Sequence, residues 1–216
     1  PNNPTAAVAP KEFLKEAIDF GHDNNIIVAS DEAYSEFYYS DEDKPHSILE
    51  FSNEGVVAFN SLSKRSFMTT YRAGWVAGDS RIIDIFKKVK TNVDSGTSTF
   101  IQDAAVAAYS DESHVREMRR TYKQKRDFIC KALTDIGLED CMPKATMYIW
   151  QKVPMDSVKF AKKLLDPSIA CVVTPGGWIS EKVGNVNPGE GYVRFALVPT
   201  IAECKIAADK IRQLEL

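Results

Sequence analysis

No long run of one charge sign occurs in this chain of 216 residues. Lysine and arginine number 27 against 30 aspartates and glutamates, a formal net charge of -3. That balance argues against a nucleic-acid-binding surface. No apolar stretch approaches the ~20 residues needed to cross a bilayer, and the opening residues do not read as a signal peptide. Cysteine is sparse. Cys130, Cys141, Cys171 and Cys204 lie far apart without a C-x-x-C spacing, so they read as reduced thiols of a cytosolic protein. The only histidines, His22, His46 and His114, are isolated in polar stretches, so no metal site is expected. Internal repeats and low-complexity segments are absent. There is no initiator methionine, and Pro1-Asn2-Asn3-Pro4-Thr5 is turn chemistry, an unusual place for a domain to begin. The expectation is a fragment whose N-terminal part is missing.

What is present is a fold-forming pattern, with 44% apolar residues. Pro10 opens a helical pattern with Phe13, Leu14, Ala17 and Ile18 on one face, and Gly21 is its expected stop. Ile26-Ile27-Val28-Ala29 reads as a strand buried on both faces. Val56-Val57-Ala58-Phe59 and Gly74-Trp75-Val76-Ala77-Gly78 are further strand candidates. Helical patterns follow over residues 81–90 and 99–109. Alternating strands and helices predict an α/β layer with a mostly parallel sheet and helices on both faces.

From Glu112 the pattern changes. Val115, Met118, Tyr122, Ile129, Leu133 and Ile136 recur at helical spacing. Arg116, Arg119, Arg120, Lys123, Lys125 and Arg126 between them read as a solvated face. This predicts one long linking helix. Strand candidates follow at residues 147–150, 170–173 and 192–197, with a helix over 156–165. Thr200 and Glu203 form a capping box before a last helix carrying Ile201, Cys204, Ala208, Ile211 and Leu214. The expected division is 1–111, part of an α/β domain, and 112–216, the linking helix plus a small α+β domain.

Three polar loops carry the chemistry. They read Asn3-Pro4-Thr5, then Asp31-Glu32-Ala33-Tyr34, then Ser61-Leu62-Ser63-Lys64 with Arg72 eight residues further on. Asp31 and Lys64 each follow an apolar strand, and ligands of open parallel sheets bind beyond the carboxyl ends of the strands. The loops are therefore expected to converge on one crevice. Taken singly, Asp31 reads as a turn or cap residue, Tyr34 as packing, Lys64 as a surface charge and Arg72 as an ion-pair partner. A lysine in this setting can also bond covalently to an aldehyde cofactor.

With Arg194 in Gly191-Tyr192-Val193-Arg194-Phe195, these motifs resemble the pyridoxal-phosphate-dependent aminotransferases of the aspartate aminotransferase superfamily (class I/II, fold type I). The resemblance runs from Pro1 to the C-terminus. It implies the C-terminal part of a cofactor-binding large domain plus a small C-terminal domain, with pyridoxal 5′-phosphate as cofactor. It implies that Lys64 carries the cofactor and then moves a proton at the substrate Cα, with Asp31 and Tyr34 as the other catalytic groups. Asp31 would keep the pyridine nitrogen protonated. Tyr34 and Asn3 would hydrogen-bond the ring oxygen, and Ser61 and Arg72 would hold the phosphate. Arg194, with Asn3, would bind the substrate, the guanidinium fork matching its α-carboxylate.

The implied activity is transfer of an amino group from an amino acid to a 2-oxo acid, with a leaning to aspartate or diaminopimelate-branch substrates. The implied assembly is a cytosolic homodimer with shared active sites. The fragment alone is expected to be inactive. Two positions depart from the family pattern. Ala6 stands where Asn-Pro-Thr is usually followed by Gly, and Thr70 stands where a Gly often precedes the residue before the phosphate arginine. Both put loop shape in question. Two other readings fit the same motifs: a pyridoxal-phosphate lyase or synthase, and a ligand-sensing aminotransferase-like domain of a transcription regulator.

Overall fold

Pro10 lacks an N–H and has extended backbone, so it serves as N-cap of helix α1 (Lys11–Asp23). Gly21 does not stop this helix. It is buried inside it, because a Cβ there would come within 2.7 Å of Val28 Cγ2 and 2.9 Å of the Ile26 carbonyl oxygen. The computed structural model describes residues 1–216 and divides into two compact units. The first is Val8–Met118 with Pro1, and the second is Arg119–Leu216 with Asn2–Ala7.

The first unit holds strands β1 (Val28–Asp31), β2 (Val56–Ser61) and β3 (Gly74–Gly78), in spatial order β1-β2-β3. β1 starts two residues later than the apolar run suggested, and Ile26 and Ile27 are exposed. The reason is where the backbone donors go. The Ile26 N–H closes the end of α1 on Gly21 O (2.8 Å), and Val28 is the first to reach the neighbouring strand, at Gly55 O (3.0 Å). β1 and β2 are parallel, in register from Val28↔Val56 to Asp31↔Phe59. β3 returns antiparallel to β2, from Val57↔Gly78 to Ser61↔Gly74. Its connection holds only the short helix α2 (Leu62–Arg65) and a turn at Thr69–Tyr71, with no long crossover helix to carry the chain back to the far end. The core is Ile18, Ile48, Val56 and Ala58, with Val28, Leu49 and Phe51 packed against it. Asp79 caps helix α3 (Ser80–Val93), accepting from Arg81 N at 2.9 Å. Helix α4 (Thr99–Ser110) follows. The unit is a mixed α/β layer.

Helix α5 (Ser113–Asp135) is the expected long amphipathic helix. Val115, Met118, Tyr122, Ile129 and Leu133 are buried. Two of the cations assigned to its solvated face are not solvated. Lys125 and Arg126 are buried. Lys125 Nζ donates to Leu197 O (3.2 Å). Arg126 Nη1 donates to Pro143 O (3.0 Å), and its Nε and Nη2 donate to Asp127 Oδ1 (2.9 and 2.7 Å). A long stem lets a cation lie in a core when acceptor oxygens meet its head.

In the second unit, β4 (Tyr148–Lys152), β5 (Thr174–Pro175) and β6 (Tyr192–Ala196) form an antiparallel sheet of order β4-β6-β5. Helices α6 (Ser157–Leu165) and α7 (Ile201–Ile211) belong to this unit, and α7 starts with the capping box of Thr200 and Glu203. Residues 170–173 do not form the expected strand. Ala170 is left-handed (φ 54°) and donates to Asp166 O (2.7 Å), while Cys171 donates to Leu164 O (2.8 Å). That backbone is spent on closing α6, so pairing begins only at Thr174, opposite Arg194. All four cysteines are free thiols, and no group of three or more His, Cys, Asp or Glu residues is placed to hold a metal. No helix is long and apolar enough to cross a membrane.

Candidate active site

The parallel pair in the first unit brings two of the loops together. Asp31 ends β1 opposite Phe59, and Glu32 N donates to Phe59 O (2.8 Å). Two residues beyond Phe59, β2 ends at Ser61, the N-cap of α2, and Lys64 lies within that short helix. Asp31, Ala33, Phe59, Asn60 and Ser61 line one cavity of about 370 Å³. Lys64 Nζ lies 5.9 Å from the centre of the Tyr34 ring. An amine, a carboxylate and a phenol thus gather at the carboxyl ends of β1 and β2.

Each group is held locally. Asp31 Oδ1 accepts from Ala33 N (3.1 Å). Glu32 is buried and accepts from Ser47 Oγ (3.0 Å) and Ile48 N (2.9 Å), which anchors the loop behind Asp31. Ser61 Oγ accepts from Ser63 N (3.0 Å) and is 3.1 Å from Ala73 O, to which it donates. Arg72 is left-handed (φ 53°), and its Nη1 donates to Thr69 O (2.9 Å). It lines a second cavity of about 620 Å³ that shares Phe59 and Asn60 with the first. That cavity also holds Lys87 and Lys90 and no carboxylate. Lys90 is paired with Asp94 (2.8 Å), so Arg72 and Lys87 carry its uncompensated positive charge. The arrangement suits an anion.

The remaining two residues, Asn3 and Arg194, lie in the second unit. The Asn2–Ala7 loop is braced by its own hydrogen bonds. Ala6 N donates to Asn2 O and Asn2 N to Ala7 O, both at 2.9 Å, and Thr5 Oγ1 donates to Asn2 Oδ1 at 2.8 Å. Ala6 is left-handed (φ 59°) and buried, in the conformation that glycine adopts most easily. The departure from the Gly pattern at this position is therefore met with backbone strain. Thr70 is not among the residues with positive φ, so it needs no glycine. Arg194 sits mid-way along β6, the central strand, between Trp150 on one side and Thr174 on the other. Its Nη1 donates to Asn3 Oδ1 (2.8 Å) and its Nη2 to Thr174 Oγ1 (3.4 Å). Its Nε is buried without a partner.

Three contributors escaped the sequence reading. Asn60 ties the two loops, donating to Glu32 O and Ser35 Oγ at 3.1 Å. The signal available for it was an amide inside an otherwise apolar strand. Thr174 and Tyr148, which flank Arg194, gave no local signal, because strand register alone makes them neighbours.

The model of the class I and II aminotransferases matches residues 1–211. The LL-diaminopimelate aminotransferase of Nitratidesulfovibrio vulgaris is 38% identical over 220 residues, covering 99% of this chain and 55% of its own length. That of Aquifex aeolicus is 38% identical over 221 residues, again 55% of its length. Among solved structures, an aminotransferase from Neisseria meningitidis superposes with a TM-score of 0.91 at 38% identity, over 99% of this chain and 55% of that one. An aromatic aminotransferase from Pyrococcus horikoshii gives a TM-score of 0.86 at 33% identity, over 99% and 57%. The chain spans about half the length of the curated relatives it matches.

Proposed function

Because the chain belongs to the class I and II aminotransferase family, we propose that the whole protein moves an amino group from an amino acid to a 2-oxo acid with pyridoxal 5′-phosphate. The observation that carries this reading is the placement of Asp31, Tyr34, Ser61 and Lys64 at the carboxyl ends of the parallel pair, with the cationic cavity of Arg72 sharing its lining. That donor set fits the cofactor. It offers an amine for an aldehyde, a carboxylate for a ring nitrogen, a phenol for a ring oxygen, and a hydroxyl and guanidinium for a phosphate.

When bound, the cofactor supplies an electron sink for charge developing at the substrate Cα. The chain's own residues do the rest. Lys64 anchors the cofactor and, once free, takes the Cα proton and returns it as general base and acid. Asp31 holds the ring nitrogen in its protonated form. Tyr34 and Asn3 hydrogen-bond the ring oxygen. Ser61 and Arg72 hold the phosphate. Arg194, steadied by Asn3, takes the substrate α-carboxylate.

Residues 1–111 are read as part of the cofactor-binding domain, and 112–216 as the linking helix and small domain. The whole protein is read as a cytosolic homodimer. The names of the most similar relatives favour a diaminopimelate-branch substrate, LL-diaminopimelate first. To test the anchor, the intact protein is loaded with pyridoxal 5′-phosphate and treated with borohydride, and the labelled peptide is mapped. The expected label is on Lys64. A label on Lys87, Lys88 or another lysine refutes the assignment.

A further inference from the structure

Arg194 shares a sheet face with three aromatic residues. The β4–β6 register sets Tyr148 opposite Ala196, Trp150 opposite Arg194 and Lys152 opposite Tyr192. Alternation puts Tyr148 and Trp150 on the same face as Tyr192 and Arg194. The direct neighbour of Arg194 is Trp150, but that indole is committed elsewhere. It stacks on Tyr192 with centroids 5.2 Å apart and planes 4° from parallel. Gly176 leaves it room, since a Cβ there would come within 2.6 Å of Trp150 Cη2. Arg194 therefore leans the other way, onto the diagonal neighbour Tyr148. Its guanidinium carbon lies 4.7 Å from the ring centre.

The rest of the environment is unusual in one respect. The acceptors that pin the guanidinium edges, Asn3 Oδ1 and Thr174 Oγ1, are both neutral. Arg194 forms no salt bridge, and its Nε is buried with no acceptor at all. A carboxylate in either place would fix the fork equally well, but would cancel its charge. A ring face and two neutral oxygens fix the plane and leave the charge unspent.

We propose that Tyr148 is a positioning residue that sets the plane of Arg194 for a carboxylate ligand, with Thr174 holding one edge. This rests on the reading of Arg194 as the α-carboxylate site. The ring acts through its π face, so Phe serves in place of Tyr, and a flexible aliphatic side chain of similar volume does not. The guanidinium is then free to rotate off its plane before substrate arrives, and the cost falls on binding rather than on the chemical step.

The test uses the intact protein loaded with pyridoxal 5′-phosphate and titrated with LL-diaminopimelate, reading the concentration dependence and the limiting rate of the cofactor absorbance change. Tyr148→Met should raise the half-saturating concentration about tenfold with little change in the limiting rate. Tyr148→Phe should stay within about twofold of the parent. Tyr148→Met placed on Arg194→Ala should add nothing further. Apart from turnover, phenylglyoxal should modify Arg194 several-fold faster in Tyr148→Met than in the parent, as mapped on its peptide. That readout holds even where kinetics are confounded by stability. Equal behaviour of the Phe and Met variants, or an unchanged rate of Arg194 modification, overturns the positioning role. Should Arg194→Ala itself leave half-saturation unchanged, the α-carboxylate reading fails and this inference goes with it. An effect of Arg194→Ala with none of Tyr148→Met sinks the inference alone.

Discussion

If Arg194 takes the substrate α-carboxylate as proposed, Arg194→Lys should separate substrate recognition from cofactor chemistry. The substitution keeps the positive charge and removes the planar fork. In the structure that fork makes a 2.8 Å bond to Asn3 and a 3.4 Å contact to Thr174, and stacks on Tyr148. An ammonium on a flexible stem cannot hold that plane and also offer a carboxylate two parallel N–H donors. A lost bidentate bond to a charged group costs about 2–4 kcal/mol. The retained charge puts the expectation near the lower end, about 2 kcal/mol, or roughly 30-fold in affinity. Both the amino acid and the 2-oxo acid carry the α-carboxylate, so KM should rise about equally for both. Binding of pyridoxal 5′-phosphate should hardly change, because the groups read as holding it are Asp31, Tyr34, Ser61, Lys64 and Arg72. The assay is steady-state kinetics with each substrate varied in turn, beside a titration of apoprotein with cofactor. Normal KM values for both substrates, or loss of the cofactor in place of substrate affinity, would refute the reasoning.

Asp31→Ala should lower turnover at least about a hundredfold. Asp31 is solvent-exposed and tied only to Ala33 N, so the melting temperature should move little, and near-normal transamination by the variant removes the role. Asp79 is held well below the ordinary carboxylate range, first by its hydrogen bonds with the Arg81 side chain and then by the Gly55 N–H. A depressed folded value contributes stability that is complete above the unfolded range, about pH 4, and is lost as pH falls toward the folded value. Asp79→Asn should therefore be less stable than the parent at pH 7, with the gap closing in acid. Denaturant titrations across pH test this, and a gap independent of pH contradicts it. Gly21→Ala gains about 1 kcal/mol of helix preference. It also meets the Ile26 carbonyl at 2.9 Å and Val28 at 2.7 Å. Overpacking of that kind costs about 1–3 kcal/mol, so net destabilisation is expected, and a raised melting temperature would show that α1 moves off the sheet freely.

The sequence alone determined those parts of the protein whose cause is local. The Thr200–Glu203 capping box, the long α5 stripe and the β2 and β3 runs are set by neighbouring residues, and these elements lie where the pattern puts them. The family could be read from short motifs, because their order and spacing along the chain match its pattern. Tertiary structure decided whatever depends on distant backbone. The start of β1 is set by Ile26 N being drawn to Gly21 O, and the missing strand at 170–173 by Cys171 N being drawn to Leu164 O. The same holds for the burial of Lys125, whose charge reads as surface until the distant Leu197 carbonyl oxygen is placed against it. Periodicity could put Arg194 on one face of its strand. Only the register between β4, β5 and β6 could give it Tyr148 and Thr174 as neighbours, since pairing between strands is a long-range choice that no local pattern encodes.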